Sequence, residues 1–336
     1  MRVRHDVVVY DWPDPSTIRV GVGDHGSIDL SVHGAGSGQA VVFCHGFPEL
    51  AYSWRHQLGA VADAGFRAIA PDMRGYGKSS RPHAVDAYGV ESLCGDLVGL
   101  LDALDIDQAV FVGHDWGGFV TWAMGVLHPD RVAGLVGVCT PYMSMPPTSV
   151  LRQIFPNDED FYILWFQQEG VAEAVMDLDA EPLFRTILRR GISPDAIAAR
   201  MTASPDRPPM NPFITLGDPD APEPIGELLV SDAELAVYVD AFRETGFRGG
   251  INWYRNIDAN AEPMRDVGNV DLPFPCLMLC AEWDFALRPD LADPMMSVLS
   301  DVERHDIAEA GHWITQDRPD AVNTHLIDWL TRRFPS

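Results

Sequence analysis

The sequence predicts an α/β fold: a mostly parallel sheet flanked by helices, with a helical module inserted into it. Three observations carry this. From Trp54 onward, short β-branched runs alternate with segments of helical period; a proline-rich, helical stretch interrupts the alternation after Pro141; and strand and helix alternate again from Pro273. With 336 residues, 46% of them hydrophobic and 22% charged, the chain can hold one large core and a substantial insertion.

In chain order, "TIRVGV", "SIDLSVHG" and "AVVFC" read as strands separated by glycine-rich turns over residues 16 to 48. A helix over Trp54 to Ala64, the strand "FRAIA", a helix over Val90 to Leu104 and the strand "AVFVG" follow, then the continuous apolar strand "VAGLVGVCT". In the insertion, a helix is expected to begin near Asn157, capped by that side chain, with Asp158, Glu159 and Asp160 complementing its dipole. Ser231-Asp232-Ala233-Glu234 is a capping box that opens a second helix toward Thr245, and Gly246 stops it. Beyond Pro273 come the strand "FPCLMLCAEWD", a helix over Pro289 to Leu299, the strand "VERHDIAEAGH" and a last helix over Arg318 to Phe334. The expected division is a core of residues 1–141 and 256–336 around a helical cap of residues 142–255, with no internal repeat.

A formal charge of −25 disfavours binding to nucleic acid or to anionic membrane surfaces. Lys78 is the only lysine, which removes most routes to Schiff-base chemistry. Its surroundings, "GYGKSS", resemble the end of a phosphate-binding loop, but Asp72 stands where that loop needs glycine. The five cysteines, Cys44, Cys94, Cys139, Cys276 and Cys280, are scattered in apolar runs and read as buried, reduced thiols, with no zinc site expected at Cys276 and Cys280. No window approaches a membrane span and no cleavable leader is evident, so the cytoplasm is the default location. For assembly, a homodimer is a bare expectation.

The most informative stretch is "FVGHDWGG". Gly113-His114-Asp115-Trp116-Gly117, between a buried strand and a helical pattern, has the frame of the nucleophile elbow of α/β-hydrolases, with aspartate where serine usually stands. Its glycines allow a sharp turn that pushes Asp115 into a cleft at the carboxyl edge of the sheet. In "VVFCHGFPEL" another buried strand ends at His45-Gly46-Phe47-Pro48, the loop expected to give one oxyanion amide, Phe47 N–H, alongside Trp116 N–H. Asp284 and His312 each lie just beyond a later strand, so that Asp115, Asp284 and His312 follow the order nucleophile, acid, histidine.

An aspartate nucleophile changes the chemistry. Its carboxylate is ionised at neutral pH without a base and suits displacement at saturated carbon, giving an alkyl ester of the enzyme. His312 is then free to activate the water that hydrolyses the ester, with Asp284 orienting the ring and the two amides holding the oxyanion of this second step. Two leaving groups fit: a halide, which needs N–H donors and no proton, and an epoxide oxygen, which needs an acidic hydroxyl beside it. A non-catalytic, ligand-binding role would be signalled by a missing triad member, and none is missing.

The motifs "GHDWGG", "HGFPE", "SWRHQ", "PDMRGYGKSS" and "GHW", with the cap segments "FYILWFQQEGVAEA" and "GFRGGINWYRN", resemble the α/β-hydrolase epoxide hydrolases, particularly the soluble actinobacterial and mammalian type, from about residue 16 onward. The resemblance implies a cofactor-free and metal-free hydrolase acting on a small-molecule epoxide. It implies further that Tyr162 and Tyr254, one from each cap segment, donate to the epoxide oxygen, and that His45, Pro48, Trp116 and Trp253 line the substrate pocket. The segment "NIDANAEPM" and the extended N-terminus depart from the family's pattern.

Overall fold

The computed structural model describes residues 11–23, 26–197, 210–216, 218 and 223–335. Eight strands form one sheet: β1 (Ser16–Gly23), β2 (Gly26–Ala35), β3 (Ala40–Cys44), β4 (Arg67–Pro71), β5 (Ala109–His114), β6 (Val132–Val138), β7 (Cys276–Ala281) and β8 (Val302–Ile307). Their order is β1-β2-β4-β3-β5-β6-β7-β8. The pairs β1/β2 and β2/β4 are antiparallel, and every later pair is parallel.

Strands β3, β5 and β7 are buried along their whole length, as expected for strands covered by helices on both faces. Their alternate side chains feed two cores. Val42 and Phe111 point to one face, while Val41, Phe43, Val110 and Val112 point to the other, where Trp54, Leu326 and Trp329 cover them. The helices of the sheet are α1 (Arg55–Asp63), α2 (Val90–Ala103), α3 (Trp116–Leu127) and, after the cap, α12 (Pro319–Arg333).

Between β6 and β7 the named elements of the described residues are helical: α4 (Thr148–Ile154), α5 (Tyr162–Trp165), α6 (Val171–Met176), α7 (Ala180–Ile187), α8 (Asp232–Thr245) and α9 (Arg248–Arg255). The capping box of α8 forms, with Ser231 and Glu234 bonding each other's backbone N–H, and Gly246 ends the helix at φ 66°. The proline-rich stretch from Ser204 to Glu227 lies partly outside the described residues.

Two helices differ from expectation. Asn157 caps nothing: its amide bonds Asp160 Oδ1 at 3.3 Å, residues 158–160 make one 3₁₀ turn, and Phe161 is extended before α5 begins. Phe161 is held out of the helix by a bridge to Met210 and a ring contact with Phe155 at 4.6 Å, tertiary contacts that outweigh local dipole complementarity. The run from Pro289 to Leu299 is likewise two pieces, a 3₁₀ turn at Pro289–Ala292 and the short helix α10 (Met295–Val298). Pro294, having no N–H to donate, separates them. A last short helix, α11 (Ile314–Asp317), precedes α12.

The chain leaves β3 toward β4 on one side and returns to β5 on the other, so the sheet has its switch point between β3 and β5, the place at which open α/β sheets carry their ligands, beyond the carboxyl ends of the strands. His45 and Asp115 directly follow those two strands.

Candidate active site

Asp115 sits at φ 50°, ψ −123°, a conformation few side chains other than glycine adopt, and opens α3. Neighbouring glycines make room for this turn. A Cβ on Gly117 would strike the Cys44 carbonyl at the end of β3, one on Gly113 would strike the Gly117 carbonyl, and one on Gly118 would strike Thr140. The Asp115 carbonyl is fixed by Thr140 Oγ1 at 2.7 Å and by Gly118 N–H at 3.0 Å. The elbow is therefore a strained residue over-determined by its surroundings.

The turn after β3 reaches the same point. Gly46 lies so close to Asp115 that a Cβ there would overlap the carboxylate, the Phe47–Pro48 peptide is cis, and Phe47 N–H donates to Asp115 Oδ1 at 2.8 Å. Of the two amides expected for the oxyanion, that of Phe47 bonds the carboxylate here, whereas Trp116 N–H does not. His45 is fully buried; its Nε2 accepts from Met73 N–H at 2.9 Å, so Nδ1 carries the proton and donates to the Gly46 carbonyl at 2.9 Å. His45 thus braces the turn from behind. Trp253 is also completely buried, 6.1 Å from Trp116 between ring centroids, and its indole N–H is spent on the Arg74 carbonyl.

Asp284, following β7, is buried. Its Oδ1 accepts from Ala286 and Leu287 N–H at 2.9 Å each, and its Oδ2 meets His312 Nδ1 at 2.8 Å. Burial opposes ionisation, but His312 and these amides outweigh it and hold the carboxyl below its ordinary value. His312, beyond β8, directs Nε2 toward Asp115 Oδ2 at 3.6 Å. Burial would lower its pKa, but the flanking Asp284 and Asp115 carboxylates raise it well above the ordinary range.

Tyr162 of α5 and Tyr254 of α9 come from two cap helices and meet with ring centroids 5.7 Å apart. Tyr254 packs edge-on against Trp116 at 5.0 Å and Phe47 at 5.2 Å, the residues that carry the two expected oxyanion amides. Burial first pushes both phenols above the usual tyrosine range, followed by the charge of Asp115 for Tyr162 and by Tyr162 and then Asp115 for Tyr254, so both remain donors. Sequence order thus assembles at one place the five side chains Asp115, Asp284, His312, Tyr162 and Tyr254.

Sequence reasoning missed a pair beneath them. Glu49 and His114, each 1% exposed, are joined at 2.8 Å between Oε2 and Nδ1. The same Glu49 oxygen accepts from Gly46 N–H at 2.9 Å, and His114 Nε2 reaches the His312 carbonyl at 2.8 Å. Both ring nitrogens of His114 face acceptors, so both contacts are satisfied only when both carry hydrogen. The signal was present, since Glu49 and His114 belong to the quoted "HGFPEL" and "GHDWGG", but nothing in spacing says that the two loops touch.

The cap grips the histidine loop. The Trp313 indole N–H bonds the Ile187 carbonyl, Arg190 meets the buried Asp317 at 3.1 Å, and Gly191 packs backbone to backbone on Gly311. Lys78, by contrast, is exposed, its loop wrapped around Asp72, which accepts from Ala51 N–H at 3.0 Å and Lys78 N–H at 3.3 Å.

Residues 39–181 match the sequence profile of the α/β-hydrolase fold. Over 318 residues the chain is 41% identical to epoxide hydrolase A of Mycobacterium tuberculosis, covering 92% of this chain and 96% of that protein. It is 39% identical to bifunctional epoxide hydrolase 2 of Sus scrofa over 88% of this chain, spanning about half (52%) of that longer protein. The crystal structure of epoxide hydrolase A from Mycobacterium thermoresistibile superposes with a TM-score of 0.80 at 39% identity, covering 94% of this chain and 98% of that one. An epoxide hydrolase from an endophytic Streptomyces gives a TM-score of 0.78 at 32% identity.

Proposed function

The chain belongs to the epoxide hydrolases of the α/β-hydrolase fold, and from that membership we propose the two-step course by which it turns an epoxide and water into a vicinal diol. In the first step Asp115 Oδ attacks a ring carbon, the C–O bond of the epoxide breaks, and Tyr162 and Tyr254 hydrogen-bond the departing oxygen, one of them passing it a proton. In the second, His312 takes a proton from water, the hydroxide adds to the ester carbonyl, and the tetrahedral oxyanion is held by the amides of Phe47 and Trp116. The intermediate then collapses: the ester C–O bond breaks, the departing diol oxygen takes the proton of the added hydroxyl, Asp115 is left as a carboxylate, and the proton held by His312 restores the tyrosine that gave one up.

The observation that carries this reading is the position of His312 between two carboxylates, 2.8 Å from Asp284 and 3.6 Å from Asp115. Both negative charges hold its pKa up in the resting enzyme. Converting Asp115 to a neutral ester removes one of them, so the imidazole becomes easier to deprotonate at the moment a base is needed. The same reaction thus charges and releases its own catalyst. The pocket set of His45, Pro48, Trp116 and Trp253, the division into a core of 1–141 and 256–336 with a cap of 142–255, and action without metal or cofactor belong to this proposal. Among the described residues no helix is long and apolar enough to cross a membrane. We carry a cytoplasmic location and a homodimer as further parts of it, the second testable by sedimentation velocity.

The test is the His312→Gln variant mixed with an epoxide and followed by intact mass. An adduct of one substrate mass that maps to Asp115 is the expected result; an epoxide turned over by the native chain without any adduct on the variant overturns the two-step course. Parallel incubations with an epoxide and a haloalkane separate diol formation from halide release.

A further inference from the structure

Strand β6 ends in a corner, Cys139-Thr140, that the scheme above does not use, and this corner touches every part of the triad. Thr140 Oγ1 donates to the Asp115 carbonyl at 2.7 Å. Cys139 Sγ lies 3.4 Å from the His312 carbonyl, on its donor side. The thiol also borders the Asp284 carboxylate, and burial, followed by that charge, pushes it far above the ordinary thiol range, so it remains an S–H donor. The corner is itself clamped: Cys139 N–H bonds the Leu279 carbonyl of β7 at 2.8 Å, and the Trp122 indole N–H bonds the Thr140 carbonyl at 2.9 Å.

Cys139 adopts φ 61°, in the left-handed region that glycine takes without strain. A strained residue retained at the end of a strand beside reacting groups is a reason to ask what its side chain does. Thr140 poses the same question from the other side, because the glycine at position 118 of the elbow is needed to let Thr140 approach.

We propose that the Cys139-Thr140 corner is a positioning element that sets the register of the triad, Thr140 through the Asp115 carbonyl and Cys139 through the His312 carbonyl and the Asp284 carboxylate. One peptide link then joins the residue that attacks the substrate to the pair that hydrolyses the ester. The two side chains serve different steps. Loss of the Thr140 hydroxyl loosens the nucleophile and slows ester formation; loss of the Cys139 thiol loosens the acid and histidine and slows ester hydrolysis. The inference rests on the two-step course proposed above.

The experiment uses the full chain with Cys139→Ala, Cys139→Ser, Thr140→Val and Thr140→Ser, with thermal melting to show that each is folded. Single-turnover mixing with an epoxide resolves ester formation from ester hydrolysis. Thr140→Val is expected to slow the first step about tenfold with the second within about twofold, and Cys139→Ala to do the reverse, since small displacements of reacting groups cost factors of this size. Each serine variant is expected to restore its step to within about threefold. A second readout does not depend on the mechanism: the low-field proton resonance of His312 Nδ1 reports its bond to Asp284 directly. It is expected to shift in Cys139→Ala and to stay unchanged in Thr140→Val. Folded variants that slow both steps equally, or leave both rates and the resonance unchanged, overturn the proposal. If the native chain forms no ester while the resonance still moves as expected, the two-step course has failed and the Cys139 contact has not.

Discussion

His312 Nε2 and Asp115 Oδ2 stand 3.6 Å apart, an ion contact too long for a good hydrogen bond. The histidine thus faces Asp115 without a hydrogen bond to it, in keeping with the proposed course, in which Asp115 attacks unaided and His312 acts afterwards on water. The pH dependence follows from this contact. His312 is raised well above its ordinary pKa by Asp284 and Asp115 together, and ester formation removes the Asp115 charge. In the proposed course hydrolysis of the ester requires neutral His312, so its rate falls as pH drops through the histidine pKa of the ester. That acid limb, measured by single turnover, should lie below the His312 titration of the free enzyme followed by NMR. An acid limb at or above the free-enzyme value would contradict the coupling.

Asp115→Ala should remove turnover by on the order of 10⁴-fold or more, as loss of a nucleophile does elsewhere. It should shift the melting temperature by only about 2–4 °C, since the side chain is partly exposed and its loss unpairs one amide, that of Phe47. Steady-state diol formation and differential scanning calorimetry check the two halves of the statement.

Tyr162→Phe and Tyr254→Phe should each slow ester formation about 10²-fold, the usual contribution of one positioned acid. Both phenols are raised above the ordinary range by burial and by Asp115, so neither ionises near neutrality and no basic limb from these groups is expected up to about pH 10. Together the two substitutions should cost more than the product of the single effects, because either hydroxyl can partly serve the departing oxygen when the other is gone. Stopped-flow tryptophan fluorescence, with Trp116 beside the ester, is a suitable monitor.

Glu49 gives a stability prediction. Burial raises its pKa, but His114 and the Gly46 amide outweigh this and bring it from 4.5 to about 2. A carboxyl depressed in the folded state adds stability that is complete above its unfolded value and is lost as pH falls through the folded one. The window is therefore pH 4.5 down to about 2, and the linked contribution is on the order of 3 kcal/mol. Glu49→Gln should flatten the acid side of the melting profile between these limits. A profile of unchanged slope would show that the ion pair contributes nothing to acid stability.

Gly46→Ala should fold but turn over on the order of 10²-fold more slowly, because the added methyl overlaps the Asp115 carboxylate and must displace it or the Phe47 turn. Full activity in this variant would mean that the two loops are further apart than the structure has them.

Much of the molecule was legible from the sequence where local pattern and tertiary demand agree. The buried runs "AVFVG" and "CLMLC" could only be covered strands, and the Ser231 capping box announced a helix that forms. Local signals failed where distant contacts decide. Asn157 and its three acids have every mark of a helix start, but Phe161 is drawn into a bridge with Met210 and the helix breaks. Pro294 was visible inside its run and should have divided it. At the site, Asp115, Asp284 and His312 were legible because each follows a strand, a position that topology brings to one edge. Glu49, His114, Cys139 and Thr140 were not, because their roles lie in contacts between loops, which carry no periodicity to read.

The clasp of residues 187–191 on the histidine loop ties two properties that are usually tuned apart. His312, which in the proposed course renews Asp115, sits in a loop anchored to the cap through Trp313 and Asp317. A cap reshaped to admit a bulkier epoxide would pull on Trp313 and Asp317 as well, and so retime the release of product. Selection for a new substrate in this scaffold would then act on both at once, and variants with broadened range should more often be slow in the second step than in the first.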